Sequence, residues 1–414
     1  MAVAIGSGAG CGREEHAAPS VPTSGRQTPA PEPEVAAVAQ EPEPVAVAAD
    51  ASAAPPEDAS AAGTAADGGA AEAEVVLPEP VRRFEQALKA IEQCERLPDS
   101  IRLADQGACL APVRAARDAI RSPAPVDGEV PAPETVAAWR EAMAGVLLRA
   151  LDDPNPTVVL YALMQNQPDF GRDAQTLARL QELVASADPD IAEWAMTVRL
   201  WQRDPGDEAG RLLAESVLES HRFDRVRLVA CQYLGDPMFR EREGMFDLLR
   251  ERVDDGNDTE LIRNCALTRM GYVGHEEDID VIAAHLDTPT QQSGAVLALQ
   301  RGLAKAKAHK AYLKWFEQHA NRAGSLQWTA VANLAPPAPG VADYPVAEGT
   351  RVLTKILLAK AQPVQVRTAA VKALERLGAT AALRGALGRI ERGDAGTEVR
   401  AAVEQALGAE TKTP

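Results

Sequence analysis

Six potential metal donors fall within eleven residues: His275, Glu276, Glu277, Asp278, Asp280 and His285. Imidazole and carboxylate are the groups that zinc, iron and manganese take as ligands, so bound-metal chemistry would be sought here first. The spacing does not reproduce a helical zinc motif, because no HExxH is present. The chain also lacks Gly-x-Ser-x-Gly, a phosphate loop and CxxC. Gly6-x-Gly8-x-Gly10 follows no strand pattern and carries no dinucleotide signal. The acidic run is expected to be a solvated turn, with no catalytic residue, metal or cofactor assigned.

Cysteine is the other reactive type, with five copies. Cys94 and Cys109 bracket the turn of a short helical hairpin. In an oxidising compartment a disulfide is expected there; in a reducing one, two half-buried thiols. Closing a loop of about 15 residues would stabilise the hairpin by roughly 3 kcal/mol. Cys231 and Cys265 lie inside periodic helical segments and are read as core packing residues, not as partners. Lys305, Lys307, Lys310 and Lys314 run beside Tyr312, Trp315, Phe316 and Trp328. The lysines suit a solvated face and the aromatics a core. Together Lys305, Lys307, Lys310, Lys314, Trp315 and Trp328 are also the best candidates for a partner-binding ridge. Trp194 and Trp201 are seven apart, at a spacing that shares one helix face.

The elements that must carry these residues are set by a repeat. Aligned on Val158, Ile191, Val226, Ile262, Gln292, Leu326, Val366 and Val399, eight segments carry a small residue four positions on: Ala162, Ala195, Ala230, Ala266, Val296, Ala330, Ala370 and Val403. The starts are 30 to 40 residues apart. Ahead of each lies a segment with aliphatics three or four apart, such as Leu177, Leu180 and Val184. That period predicts an all-α fold, an α-solenoid of about eight helical hairpins. Asp188-Pro189 is a helix start signal between two of them, a capping acceptor followed by a proline suited to the first turn.

Composition divides the chain further. Residues 12–80 contain no aromatic residue and are rich in Ala, Pro and Glu. Such a segment buries too little apolar surface to offset its ordering entropy, so an acidic disordered linker is expected. A short helical hairpin is expected over 81–121, a Pro-rich linker over 122–133, the repeat domain over 134–409 and a tail over 410–414. The net charge of −17 is unevenly spread. Residues 14–80 carry 13 acids and one base, residues 81–300 carry 38 acids and 24 bases, and residues 301–392 carry 5 acids and 15 bases. A net-acidic chain is a poor general binder of nucleic acid, where phosphate contacts dominate affinity. The basic late repeats suit an acidic protein partner. No apolar run approaches the roughly 20 residues of a membrane span.

Two resemblances stand beside these readings. Val226-Arg-Leu-Val-Ala-Cys-Gln-Tyr-Leu-Gly, Val366-Arg-Thr-Ala-Ala-Val-Lys-Ala-Leu and Val399-Arg-Ala-Ala-Val-Glu-Gln-Ala-Leu-Gly resemble the second helix of HEAT repeats, and Arg227, Arg263, Arg367 and Arg400 match that family's arginine. The resemblance covers residues 134–409 and implies an armadillo-type superhelix that binds other proteins. HEAT-like lyases and metal hydroxylases give the alternative, an enzyme or enzyme accessory; the hydroxylases use several His-Glu pairs, and only His275-Glu276 is present. Gly8-Ala9-Gly10-Cys11 resembles the end of a bacterial lipoprotein signal, residues 1–11 being its remnant. It implies a lipid on Cys11, membrane contact through that anchor alone, and a place in the cell envelope, a cytoplasmic one being the alternative. A start upstream of Met1 would supply the rest of the signal. The expected function is therefore a non-enzymatic protein–protein interaction scaffold on an envelope tether.

Overall fold

In the computed structural model the described residues are 76–97, 101–125, 130–165, 169–201, 204, 206–336, 343–391 and 393–410. Cys11 and the acidic segment up to residue 75 lie outside them, as does most of the Pro-rich stretch between Ala335 and Pro345. A hairpin opens the described chain, α1 (Glu79–Lys89) and α2 (Gln106–Arg121). Eight further pairs follow: α3 (Pro133–Ala150) with α4 (Pro156–Gln165), α5 (Ala174–Val184) with α6 (Pro189–Arg199), α7 (Glu208–Ser220) with α8 (Asp224–Leu234), and α9 (Met245–Asp254) with α10 (Glu260–Val273). Then come α11 (Ile279–Ala284) with α12 (Gln292–Leu297), α13 (Ala306–His319) with α14 (Trp328–Ala332), α15 (Val346–Leu358) with α16 (Val364–Arg376), and α17 (Thr380–Leu387) with α18 (Asp394–Glu410). Among the described residues the extended pairing is limited to one isolated bridge, Arg96 to Leu103.

The small residue recurs where the array needs it. Ala162, Ala195, Ala230, Ala266, Val296, Ala330, Ala370 and Val403 are all fully buried, each on the second helix of its pair. The second helices α4, α6, α8, α10, α12, α14, α16 and α18 pack each against the next, in one row. A larger side chain at these positions would hold neighbouring helices apart, which is why alanine dominates. The first helices form the other layer, with α11, α13, α15 and α17 packed in sequence.

Local signals place the turns. Asp188 accepts from the amides of Asp190 and Ile191 at the start of α6, with Pro189 in its first turn. Asp173 and Asp207 cap α5 and α7 in the same way. Three of the four arginines that match in sequence close the other end of the preceding helix, whereas the buried Nε of Arg263 has no hydrogen-bond partner among the described residues. Arg227 Nε donates to Leu218 O at 2.8 Å, Arg367 Nε to Leu357 O at 2.9 Å and Arg400 Nη1 to Leu387 O at 2.8 Å. Leu218, Leu357 and Leu387 lie in the last turn of α7, α15 and α17, where carbonyls lack intrahelical partners. The guanidinium forks then reach forward to the next hairpin's turn, Arg227 to Asp258 and Arg367 to Glu391.

The fifth pair departs from the others. Gly271-Tyr-Val-Gly has the look of a turn in sequence, but α10 runs through Gly271 to Val273, and the turn starts at Gly274. The reason is contact. A Cβ built on Gly302 would lie 2.2 Å from the carbonyl carbon of Gly271, and one on Gly271 would lie 2.3 Å from Ala298 O. Two backbones meet directly, and α12 continues there as a π-helical turn, Ala298–Leu303. Gln292 stands at the position that is apolar in the other seven segments. It is fully buried, donates from Nε2 to Ser325 O at 2.6 Å and accepts from Gln327 N at 3.0 Å. One amide therefore clamps the α13–α14 turn on both sides of Leu326.

The opening hairpin belongs to the same unit as the array, Ala73–Pro414. Helices α1 and α2 pack on α3. The loop between α1 and α2 reaches further: Arg96 pairs with Asp188 at 2.8 Å and with Asp190, and Tyr161 Oη donates to Ile101 O.

Candidate functional site

The sequence-derived site residues separate into several places. Cys11 lies outside the described residues. Cys94 and Cys109 are bonded, with Cα atoms 6.3 Å apart, and close the loop that holds Arg96. Cys231 and Cys265 are bonded as well, Cα to Cα 6.5 Å. This corrects their reading as unpaired packing residues: α8 and α10 are neighbours in the second-helix row, so stacking brings together two thiols that no local spacing relates.

The lysines occupy the first-helix layer. Lys307, Lys310 and Lys314 are exposed along one side of α13, and Lys305 is exposed at its N-cap. Lys305 and Lys307 lie 3.7 and 4.0 Å from Glu276 on the preceding hairpin. On α15, Arg351 pairs with Glu317 of α13 at 2.9 Å, and Lys355 Nζ donates to the Glu317 carbonyl at 2.9 Å. Arg351 holds the Glu317 carboxyl below its ordinary range. Arg384 and Arg389 are exposed around α17. Glu276 pairs with Lys305 and Lys307, Glu317 pairs with Arg351, and Asp280 and Glu348 add two further acids to the layer, yet the cations outnumber them, so the layer carries net positive charge.

The aromatics do not form a ridge with these lysines. Tyr312 and Phe316 are fully buried, and Trp315 is half-buried, its Nε1 donating to Asp287 at 2.8 Å and its ring stacked on His319 at 4.0 Å. Trp328 is half-exposed, but it opens α14 and so belongs to the second-helix row. Trp194 and Trp201 do not share a helix either, because α6 ends at Arg199.

His275 and its acidic neighbours build a helix start. The His275 side chain and the backbone of Asp278 pair in one direction, and His275 N donates to Asp278 Oδ2 at 2.7 Å in the other. His285 Nδ1 lies 3.0 Å from Gln291 Oε1. Among the described residues no three of His, Cys, Asp and Glu converge in a metal-binding group.

Two features escaped the sequence. Buried amides tie the late hairpins together: besides Gln292, Gln300 Nε2 donates to Asn333 O at 2.7 Å and Gln362 Nε2 to Ala320 O at 2.9 Å. His309 is completely buried, with Nδ1 3.1 Å from Tyr312 Oη and its ring edge-on to Tyr312 and Tyr344. Burial pushes its pKa down, opposed in part by Asp343. A buried glutamine at an apolar helix position is the signal that could have marked the first feature.

Small side chains on the second-helix row leave shallow hollows between neighbouring helices. One, of about 300 Å³, lies between α14 and α16 beneath Trp328. Another, of about 150 Å³, lies between α16 and α18. The architecture defines the class, an all-α stacked array of helical hairpins with a charged first-helix layer and a hollowed second-helix row. Compared with known proteins, the chain matches no protein-family model and no curated protein. No helix among the described residues is long and apolar enough to cross a membrane.

Proposed function

We propose that this chain is a non-enzymatic protein-binding scaffold of the HEAT-repeat type, tethered to a bacterial cell envelope by a lipid on Cys11, whose basic late repeats hold an acidic protein partner. The observation that carries this function is the first-helix layer of the late repeats. Lys307, Lys310, Lys314, Arg351, Arg384 and Arg389 are exposed there and outnumber the acids of the same layer, Glu276, Asp280, Glu317 and Glu348. A surface of one sign steers an oppositely charged partner and makes its binding salt-sensitive. The arginines that close the ends of α7, α15 and α17 support the HEAT assignment. Two disulfides support an exported location, since they persist in oxidising compartments.

Retention of the full chain on immobilised polyglutamate tests the basic layer. The wild type should be retained at low salt and released as salt rises, and the triple variant K307E/K310E/K314E should elute early. Equal retention of the two proteins refutes the assignment. Mass spectrometry of Cys11 in the protein isolated from its native host tests the tether, and an unmodified thiol rejects it.

A further inference from the structure

Resting on the scaffold function proposed above, we infer that the acidic partner of the basic late repeats is a second copy of this chain, bound antiparallel, with the acidic helices α9 and α11 of each copy on the basic helices α13 and α15 of the other. The first-helix layer changes sign between α11 and α13. On α9, Asp247, Glu251 and Asp254 are exposed, four and then three residues apart. That spacing sets them on one side, away from the buried Met245, Leu249 and Val253. Arg250 is the exposed cation among them, and it is paired with Asp247 at 2.9 Å. On the next hairpin Asp280 is exposed in the first turn of α11, and Glu277 in the turn before it.

The other sign begins one helix later. Lys307, Lys310 and Lys314 are exposed on α13, three and then four residues apart, away from the buried Tyr312 and Phe316. Arg351 and Lys355 are exposed four apart on α15, with Glu348 as the neighbouring acid. The layer is continuous across the change. Gln291, just after α11, donates to Val253 O at the end of α9, and α13 packs on both α11 and α15.

A layer that changes sign at its middle fits a copy of itself turned end for end. A two-fold axis between α11 and α13 lays α11 on α13 of the second copy and α9 on its α15. The same contacts recur across the axis, as an isologous interface requires. A copy stacked in register would set acid on acid and lysine on lysine. A uniformly acidic partner would suit α13 and α15 but meet like charge on α9 and α11; a second copy suits both halves at once. Neighbouring helices lie about 9 Å apart and ten residues rise about 15 Å, so four helices offer about 500 Å² on each copy. That is the size of a weak, reversible interface, and charges at its centre make it salt-sensitive.

Sedimentation velocity of the full chain at high protein concentration tests this. The wild type should sediment as a dimer at low salt and as a monomer at high salt. K307E/K310E/K314E makes both halves acidic, and D247K/E251K/D254K makes both basic, so each variant alone should show half the wild-type mass. All six side chains are exposed, and helical content should not change. Mixed in equal amounts the two variants should recover the dimer, because every facing pair is then of opposite sign. No recovery in the mixture overturns the proposal. So does a dimer retained by D247K/E251K/D254K alone, or one that persists at high salt. A wild type that stays monomeric yet is retained on polyglutamate refutes this inference and leaves the scaffold standing; failure of both removes the scaffold function with it.

Discussion

Cys231 of α8 is joined to Cys265 of α10, one hairpin further along the second-helix row. The bond closes 34 residues of sequence, more than twice the span closed by Cys94 and Cys109. In the chain-entropy account a loop of this length restricts the unfolded ensemble by about 3–4 kcal/mol. The double variant C231S/C265S should therefore unfold at lower denaturant than the wild type, and reductant should move the wild type towards it. Coincident oxidised and reduced unfolding curves would show that the bond adds no stability.

Arg227 links three elements: the last turn of α7 through Leu218 O, its own helix α8, and Asp258 in the turn before α10. Asp258 is almost fully buried, with Arg252 at 3.8 Å. Removing Arg227 leaves a carboxylate that has lost its nearest cation out of water. R227A should cost about 3 kcal/mol, and D258N in the same background should recover part of it. Unfolding of the single and double variants measures both.

His309 sets a pH dependence. Its burial depresses its pKa below the ordinary value of 6.5. The unfolded chain therefore binds a proton before the folded one does. Stability from the neutral ring is present in full above 6.5 and is lost as pH falls from there towards the folded value. H309F should flatten this part of the stability profile. Below the ordinary carboxylate range a second loss follows, because Arg367 holds Glu391 low and Arg199 holds Asp207 low. Thermal unfolding followed across the acid range checks both limbs, and an unchanged profile for H309F would contradict the first.

Gly302 and Gly385 should respond oppositely to alanine. A Cβ at Gly302 meets the backbone of Gly271 at 2.2 Å, so G302A must separate α10 from the π-helical turn, at a cost of about 3 kcal/mol. Gly385 lies inside α17 with nothing within 4 Å of its would-be Cβ. G385A should stabilise the chain by about 0.5–1 kcal/mol by reducing the freedom of the unfolded backbone. Melting temperatures of the two variants check the signs.

The array was legible because its two constraints are periodic. An apolar stripe every three or four residues and a small residue once per hairpin both write themselves into the order of residues. Ala162 through Val403 showed them without any tertiary information. The candidate site was less legible because it depends on which layer a helix joins. Trp328 and Lys314 are 14 positions apart, close enough to be read as one ridge, yet one opens a second helix and the other lies on a first helix. Cys231 and Cys265 escaped for the converse reason: they are far apart in sequence, and only the stacking of α8 on α10 joins them. Their separation of 34 residues falls within the repeat step, and that was the available clue.

A stack of hairpins behaves as a spring, because each turn contacts little beyond its neighbours. The bond between Cys231 and Cys265 puts a covalent rivet across two adjacent coils of that spring. The late coils are held by amide clamps instead, at Gln292, Gln300 and Gln362. Under a load applied at the two ends of the array, α8 and α10 cannot separate, so extension falls on the hairpins either side of them, the stretch from α11 to α18 among them. Pulling force would then deform the stretch that carries Trp328 and the lysines, and the spacing of those side chains becomes a function of load.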